Sequence, residues 1–426
     1  LREIKPLPGP FSAAVVPPPD KSITHRALLL ASEASGESLI GNASLCADCI
    51  STVDCLRRLG VNVRQVREGI IVSGKGLGSL SRPEGPLYAG NSGTTARLIS
   101  GILARQQFAS SIAGDGSLSR RPMERVAEAL GRMGASVETT GGHLPMTIMG
   151  SRLTGIEHTM EAPSAQLKSA ILFAALGAEG STAVTEPVPT RDHTERLFRY
   201  AGIPVFASGG RITTQGAARF APFSLDVPGD ISSASFLAAA AAIIPGSSVT
   251  IRDVGLNPSR MGFFRLLEMM GAGVVVDQRE SAWEPRGDMT VVAGRLQPVS
   301  VSSGEVPGMV DEIPLVAVLA SFAEGVSSVC GAGQLREKES DRIKAVTENL
   351  GRMGVRIRES EQGFTIEGRG GPLNGAEIRT RGDHRIAMAF SVAGLAARGN
   401  TLIDDHECVS VSYPGFFDEL VRIARG

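Results

Sequence analysis

The chain has 426 residues, 42% of them hydrophobic and 20% charged, which is the balance of a soluble globular protein of two or three domains. A formal net charge of −1 argues against a general nucleic-acid binder, and no apolar run reaches the roughly 18–20 residues of a membrane span. Aromatic residues are only 4%, so the core must be built from Ala, Leu, Val, Ile and Met.

Taken in order, the sequence writes one unit six times, about every 70 residues. A polar or Gly/Ser-rich opening leads into an Ala/Leu-rich helix, then into small residues and a strand. The copies begin PDKSITHRALLLA at Pro19, GNSGTTARLISGILA at Gly90, APSAQLKSAILFAA at Ala162, GDISSASFLAAAAAII at Gly229, VDEIPLVAVLASF at Val310 and GDHRIAMAFSVAGLA at Gly382. A second helix follows most copies and closes on Gly60, Gly134, Gly202, Gly271 or Gly354, which read as left-handed residues just past a helix end. β-Branched residues after each glycine read as a strand. A hairpin-like pair with Gly near its turn is expected at IIVSGKGLGSL, MTIMGSRLTGI, ITTQGAARF, MTVVAGRL and FTIEGRGGPLNGAEI.

Each unit therefore reads helix, strand, helix, strand, turn, strand, an α/β pattern. Six units exceed what one core holds, so two domains of three units are expected. The first helix of each unit is apolar all round and should be almost wholly buried. The run Gly74-Lys75-Gly76-Leu77-Gly78 resembles a dinucleotide loop, but it sits among strands rather than between strand and helix, and reads as a turn.

The five cysteines, Cys46, Cys49, Cys55, Cys330 and Cys408, suggest free thiols in a reducing compartment. No basic-then-apolar signal segment opens the sequence, so a cytoplasmic location is expected. Cys46 and Cys49 have CxxC spacing, but a structural zinc needs about four ligands and no second pair exists. The spacing is read as incidental.

Functional chemistry gathers at the helix openings, where free N–H groups and the positive dipole end favour anions. Lys21, Ser22 and Arg26 mark the first opening, and Asn91, Gly93 and Thr94 the second. Ser164 and Gln166 mark the third, Asp311 the fifth, and Asp383, His384 and Arg385 the sixth. Arg121, Arg191, Lys338 and Arg342 stand in polar clusters nearby. A near-neutral protein with local cations suggests small anionic ligands. Two ligands, each with a phosphate and a carboxylate, would bring roughly five to six negative charges, which seven such cations could balance. Each cluster alone also reads as ordinary structure. Lys338 to Arg342 could be a solvated helix face, Asp192 and Asp383 caps, and GNSGTT a plain turn.

Together, PDKSITHRALLLA, GNSGTTARL, GDGSLSRRPM, LREKESDRI, GDHRIAMAF and SYPGFF resemble the 5-enolpyruvylshikimate-3-phosphate synthase family of enolpyruvyl transferases, from Pro17 to Leu420. SAQLKSA and EPVPTRDHTE resemble the branch containing many glyphosate-tolerant bacterial members. The resemblance implies two similar α/β domains, each of three βαβαββ units in an inside-out barrel, with the active site in the cleft between them. Residues 18–227 would form one domain, and residues 1–17 with 228–426 the other. The implied reaction transfers the enolpyruvyl group of phosphoenolpyruvate to the 5-hydroxyl of shikimate 3-phosphate by addition and elimination, with no cofactor and no metal.

By motif match, shikimate 3-phosphate falls to Lys21, Ser22, Arg26, Ser164, Gln166, Arg191, Asp311, Gln334 and Lys338. Phosphoenolpyruvate falls to Lys21, Asn91, Gly93, Thr94, Arg121, Gln166, Arg342 and Arg385. Asp311 would be the base and Glu339 the proton source, with Lys21 and His384 assisting. The resemblance also makes glyphosate a possible inhibitor, with Gly93 leaving room for it, and a monomer is expected. Two departures stand out: Ala165 lacks a hydroxyl that many members have, with Arg191 as its replacement, and Val411 stands where a Lys is frequent. The rival transferase acting on UDP-N-acetylglucosamine usually has a reactive Cys in a loop near residues 114–121, where this chain reads GDGSLSRR. A non-catalytic anion-binding protein on the same fold would be expected to lose the acid, base or cations, and here they are present.

Overall fold

A computed structural model describes residues 1–217 and 219–424; Ala218, within ITTQGAARF, and residues 425–426 of the expected second domain lie outside the described residues. Two short strands come first, β1 (Arg2–Ile4) and β2 (Ser12–Val15). The first repeat is α1 (Lys21–Glu33), β3 (Ser35–Gly41), α2 (Ala47–Arg58), β4 (Asn62–Val66), β5 (Gly69–Lys75) and β6 (Leu87–Tyr88). The second is α3 (Gly93–Leu103), β7 (Ala109–Ala113), α4 (Glu124–Arg132), β8 (Ser136–Thr140), β9 (His143–Met149) and β10 (Glu157–Thr159). The third is α5 (Ala165–Ala175), β11 (Thr182–Thr185), α6 (His193–Tyr200), β12 (Val205–Ser208), β13 (Arg211–Thr214) and β14 (Ser224–Asp226). The fourth is α7 (Ile231–Ile243), β15 (Ser248–Gly255), α8 (Gly262–Met269), β16 (Gly273–Arg279), β17 (Arg286–Val292) and β18 (Ser300–Val301). The fifth is α9 (Ile313–Phe322), β19 (Glu324–Val329), α10 (Arg342–Arg352), β20 (Arg356–Ser360), β21 (Gly363–Arg369) and β22 (Glu377–Ile378). The sixth is shorter, with α11 (His384–Leu395), β23 (Thr401–Ile403) and α12 (Phe416–Ala424).

Two compact units result. Unit 1 comprises Leu1–Pro18, Pro228–Ser281 and Pro285–Gly426, and unit 2 comprises Pro19–Val227 with Ala282–Glu284. In each full repeat the strand after the core helix pairs antiparallel with the inner hairpin strand and parallel with a short strand from elsewhere in its unit. In unit 2 the sheets are β6-β7-β9-β8, β10-β11-β13-β12 and β14-β3-β5-β4, so β14 returns to the first repeat and closes a ring of three sheets. In unit 1 the N-terminal strands make the equivalent closures: β2 lies parallel to β15, and β1 antiparallel to β23.

The core helices form where the sequence places a capping side chain before an apolar run. Asp20, Ser92, Ser164, Asp230 and Asp383 each accept a backbone N–H from the first turn of α1, α3, α5, α7 and α11. Burial is nearly complete, and α7 is buried at all thirteen positions. Gly60, Gly134, Gly202, Gly271 and Gly354 have positive φ, ending the outer helices as their sequence context requires.

The hairpins differ from expectation. IIVSGK is a single strand, β5, and the turn precedes it at residues 67–68. The glycine inside serves close approach instead: a Cβ on Gly74 would lie 2.3 Å from the carbonyl oxygens of Ala31 and Ala34, at the end of α1. Gly368 repeats the arrangement against Ala320 and Ala323 at the end of α9.

Candidate active site

In unit 2 the openings of α1, α3 and α5 are joined by polar side chains. Lys21, the first residue of α1, donates to Asp48 Oδ2 at 2.8 Å. Arg191, between β11 and α6, donates to Ser22 Oγ at 3.3 Å. Arg26 is buried, and its guanidinium reaches the Ser22 carbonyl, Ser169 Oγ and Thr194 Oγ1, each at 2.9 Å. Gln166 at the start of α5 crosses to α3, donating to Thr94 Oγ1 at 3.0 Å and accepting from Arg97 Nη1 at 2.9 Å. Arg121 donates to Asn91 Oδ1 at 2.6 Å, and Asn91 donates in turn to Asp115 at 2.7 Å. Beneath these contacts His25, Thr52, Thr95 and Ser92 form a buried hydrogen-bonded chain. Burial, with Lys21 and Arg26 nearby, holds His25 well below its ordinary pKa, so it is neutral. A Cβ on Gly93 would lie 2.6 Å from Arg97 Nη1, so glycine here lets the guanidinium lie against the α3 opening.

Unit 1 carries a second network centred on Arg342, the first residue of α10 and only 2% exposed. Its Nε donates to Asp383 Oδ2 at 2.9 Å, its Nη2 to Glu339 Oε2 at 2.6 Å, and its Nη1 lies 3.6 Å from Asp311 Oδ1. Burial opposes the charge, but Asp383, Glu339 and Asp311 outweigh it and raise the pKa, so Arg342 stays a cation. Among the described residues Nη1 has no hydrogen-bond partner, an uncommon state for a buried donor. Asp383 also caps α11 through the Arg385 backbone N–H and accepts from Ser340, so one carboxylate ties the α11 opening to Arg342. Arg385 donates to Ser232 Oγ at 2.8 Å and lies over the Phe236 ring. Gln334 lies in a 3-10 turn, Gly333–Glu337, and Lys338 closes it.

Unit 2 thus brings together Lys21, Ser22, Arg26, Asn91, Gly93, Thr94, Arg121, Gln166 and Arg191, with Ser164 engaged as the α5 cap. Unit 1 brings together Asp311, Glu339 and Arg342, with His384 and Arg385 opening the helix that Asp383 caps and Gln334 and Lys338 in the turn leading to α10. Sequence reasoning missed the residues that hold these: Asp48 behind Lys21, Arg97 between Gly93 and Gln166, Asp115 behind Asn91, and Asp383 as the main partner of Arg342. Arg97 lies one helical turn past Gly93 within GNSGTTAR, a spacing that could have marked it. Cys46 and Cys49 lie at the start of α2, where the Cys49 thiol donates to the Lys21 carbonyl at 3.8 Å and its closeness to Cys46 lowers the Cys46 pKa to about 7.

The model of the family EPSP synthase (3-phosphoshikimate 1-carboxyvinyltransferase) matches residues 7–420. The chain belongs to the EPSP synthase family. It is 44% identical over 412 residues to the 3-phosphoshikimate 1-carboxyvinyltransferase of Lactiplantibacillus plantarum, covering 96% of this chain and 95% of that one. It is 43% identical over 420 residues to the enzyme of the same name from Syntrophomonas wolfei, covering 98% and 97%. A solved EPSP synthase from Acinetobacter baumannii aligns with a TM-score of 0.86 and 39% identity, over 99% of this chain and 98% of that one. The fold is the family's, two similar α/β domains of repeated units, and the chain is an enzyme, a carboxyvinyl transferase acting on 3-phosphoshikimate. Among the described residues no helix is long and apolar enough to cross a membrane.

Proposed function

We propose how the two networks divide the family's reaction, in which phosphoenolpyruvate gives its carboxyvinyl group to the 5-hydroxyl of shikimate 3-phosphate and phosphate is released. Lys21, Ser22, Arg26, Ser164, Gln166 and Arg191 bind shikimate 3-phosphate, with Gln334, Lys338 and Asp311 completing its set. Lys21, Asn91, Gly93, Thr94, Arg121, Gln166, Arg342 and Arg385 bind phosphoenolpyruvate. The cations neutralise the phosphates and carboxylates, and the helix openings add N–H donors.

Asp311 takes the 5-hydroxyl proton as the oxygen attacks C2 of phosphoenolpyruvate. Glu339 gives a proton to the methylene carbon, with Lys21 and His384 assisting. The product is a tetrahedral phospho-ketal. In the second step the methyl group returns one proton to Glu339, the C–O bond to phosphate breaks, and the cations stabilise the departing charge. The observation that carries this reading is Arg342: one buried guanidinium lies beside both Asp311 and Glu339 and, among the described residues, keeps a donor without a hydrogen-bond partner.

Glyphosate, with a phosphonate and a carboxylate, is expected to compete at the phosphoenolpyruvate residues. We place the enzyme in the cytoplasm as a monomer; its five unpaired cysteines fit a reducing compartment.

The test is phosphate release on mixing the enzyme with phosphoenolpyruvate and shikimate 3-phosphate, beside an Asp311→Ala variant and with UDP-N-acetylglucosamine as the alternative acceptor. Release with shikimate 3-phosphate alone, lowered about 10²–10⁴-fold in the folded variant, is expected. Undiminished release in the variant would remove Asp311 from the chemistry.

A further inference from the structure

The segment that carries Arg191 is held by an ion cluster that contributes no group to the networks described above. Lys168, on α5 two residues past Gln166, is 1% exposed, and its ammonium is taken up by protein acceptors. Its ammonium lies 2.9 Å from Glu186 Oε2 and 2.7 Å from Glu195 Oε1, and donates to the Thr190 carbonyl at 3.4 Å. The Thr190 hydroxyl donates to the other oxygen of Glu186. Glu186 directly follows β11, Thr190 directly precedes Arg191, and Glu195 lies in the first turn of α6. One ammonium thus grips the loop before Arg191 and the helix after it. The next residue on α5, Ser169, accepts from Arg26 and exchanges a hydrogen bond with Thr194 of α6.

Packing alone does not call for this arrangement, because a buried ion cluster is seldom more stabilising than apolar residues of the same volume. What it supplies is direction. An apolar contact would let residues 187–192 slide, whereas an ammonium with three fixed acceptors does not.

We propose that Lys168 is a positioning residue for the phosphate end of shikimate 3-phosphate, acting through Arg191 by fixing the segment from Glu186 to Glu195 against α5. This rests on the assignment of Arg191 to that phosphate.

The experiment is a double-mutant cycle on the full-length enzyme, with KM for each substrate and kcat read from phosphate release for Lys168→Met, Arg191→Ala and the pair. Lys168→Met is expected to raise KM for shikimate 3-phosphate about tenfold or more, leaving kcat and KM for phosphoenolpyruvate within about twofold. In the Arg191→Ala background the same change should add almost nothing, because the residue it positions is gone. Lys168→Arg, which keeps the charge, should recover part of the loss.

Additive effects on KM for shikimate 3-phosphate would overturn the proposal, and so would a fall in kcat with both KM values unchanged. If Lys168→Met does not fold, Glu195→Gln loosens one tie, and its smaller rise in the same KM must likewise vanish without Arg191. Should Arg191→Ala leave that KM unchanged, the assignment of Arg191 fails first and the role of Lys168 falls with it.

Discussion

At the C-terminal ends of their core helices the two units fill space with different chemistry. In unit 2, α1 ends on Glu33 and α3 is followed by Arg105; the two are buried and joined as an ion pair, and the arginine stem packs against Gly177 past the end of α5. In unit 1, α7 ends at Ile243 and Ile244, α9 at Phe322 and α11 at Leu395, and these line a cavity of about 710 Å³ with Leu7, Pro10 and Leu296. Its charged lining is Arg295 and Glu324, themselves paired at 3.2 Å. At the other end of the helices both units are polar, each with an arginine buried among hydrogen-bonding partners. On the proposed assignment, anionic ligands constrain the N-terminal ends, where dipoles and free N–H groups matter. The C-terminal ends need only fill volume and satisfy carbonyls, so the repeats have diverged there.

The largest effect is expected from breaking the charged pole of unit 2. Arg105→Met leaves Glu33 buried without its cation and should destabilise the protein by about 3–5 kcal/mol in denaturant unfolding. Replacing both, Glu33→Leu with Arg105→Leu, copies the apolar character of unit 1 and should cost far less. If the double variant were as unstable as the single, the difference between the poles would not be one of charge pairing. The pair also sets a pH dependence. Burial raises the Glu33 pKa although Arg105 opposes it, so the folded state binds a proton more readily than the unfolded chain. Its contribution is therefore full at low pH and is lost as pH rises through the folded pKa, above the ordinary carboxylate range. Melting temperatures measured across pH should show that component of the slope disappear in the double variant, while the similar component from Glu195 remains.

A second test bears on the N-terminal poles. Arg342→Lys keeps the charge but not the fork that serves Asp383 and Glu339 together. Turnover should fall about a hundredfold, near 2.7 kcal/mol, with little change in stability. In unit 2 the milder probe is Gly93→Ala, whose Cβ would displace Arg97 and loosen its bond to Gln166. KM for phosphoenolpyruvate should rise about tenfold, near 1.4 kcal/mol, with KM for shikimate 3-phosphate less affected.

Much of this was legible because the same local signals recur. Caps such as Asp20 and Asp383, apolar helices and the glycines closing the outer helices all act within a few residues, and six copies reinforce one another. The side chains proposed to bind anions drew notice for the same reason, since several of them, such as Lys21, Gln166 and Arg342, sit at helix openings. What escaped depends on partners far apart in sequence. Asp48 meets Lys21 across 27 residues, Asp383 meets Arg342 across 41, and β1 pairs with β23 across nearly the whole chain. Lys168 looked like an ordinary helical lysine in SAQLKSA, because nothing local shows that Glu186 and Glu195 enclose its ammonium. Residues 282–284 gave no sign of leaving unit 1, yet Trp283 packs on Tyr200 and Glu284 pairs with His193 at 3.0 Å.

The smallest expected effect comes from the apolar pole of unit 1. Ala293 lines the cavity just past β17, half-buried, and its backbone N–H is bound to the Ser247 carbonyl, so its position is fixed while its side chain borders open space. Ala293→Leu adds three carbons there. If they enter the cavity against Ile243 and Leu296, burying them should stabilise the protein by about 1 kcal/mol or less, because a partly open site removes only part of the added surface from water. At the corresponding end of unit 2, Gly177 already meets the Arg105 stem, and a Cβ there would lie 3.0 Å from its Cδ. Gly177→Ala should therefore be neutral or destabilising. Opposite signs for the two substitutions in parallel denaturant titrations would mean that one pole is filled and the other is not; equal signs would mean that the cavity closes in solution and that both ends pack alike.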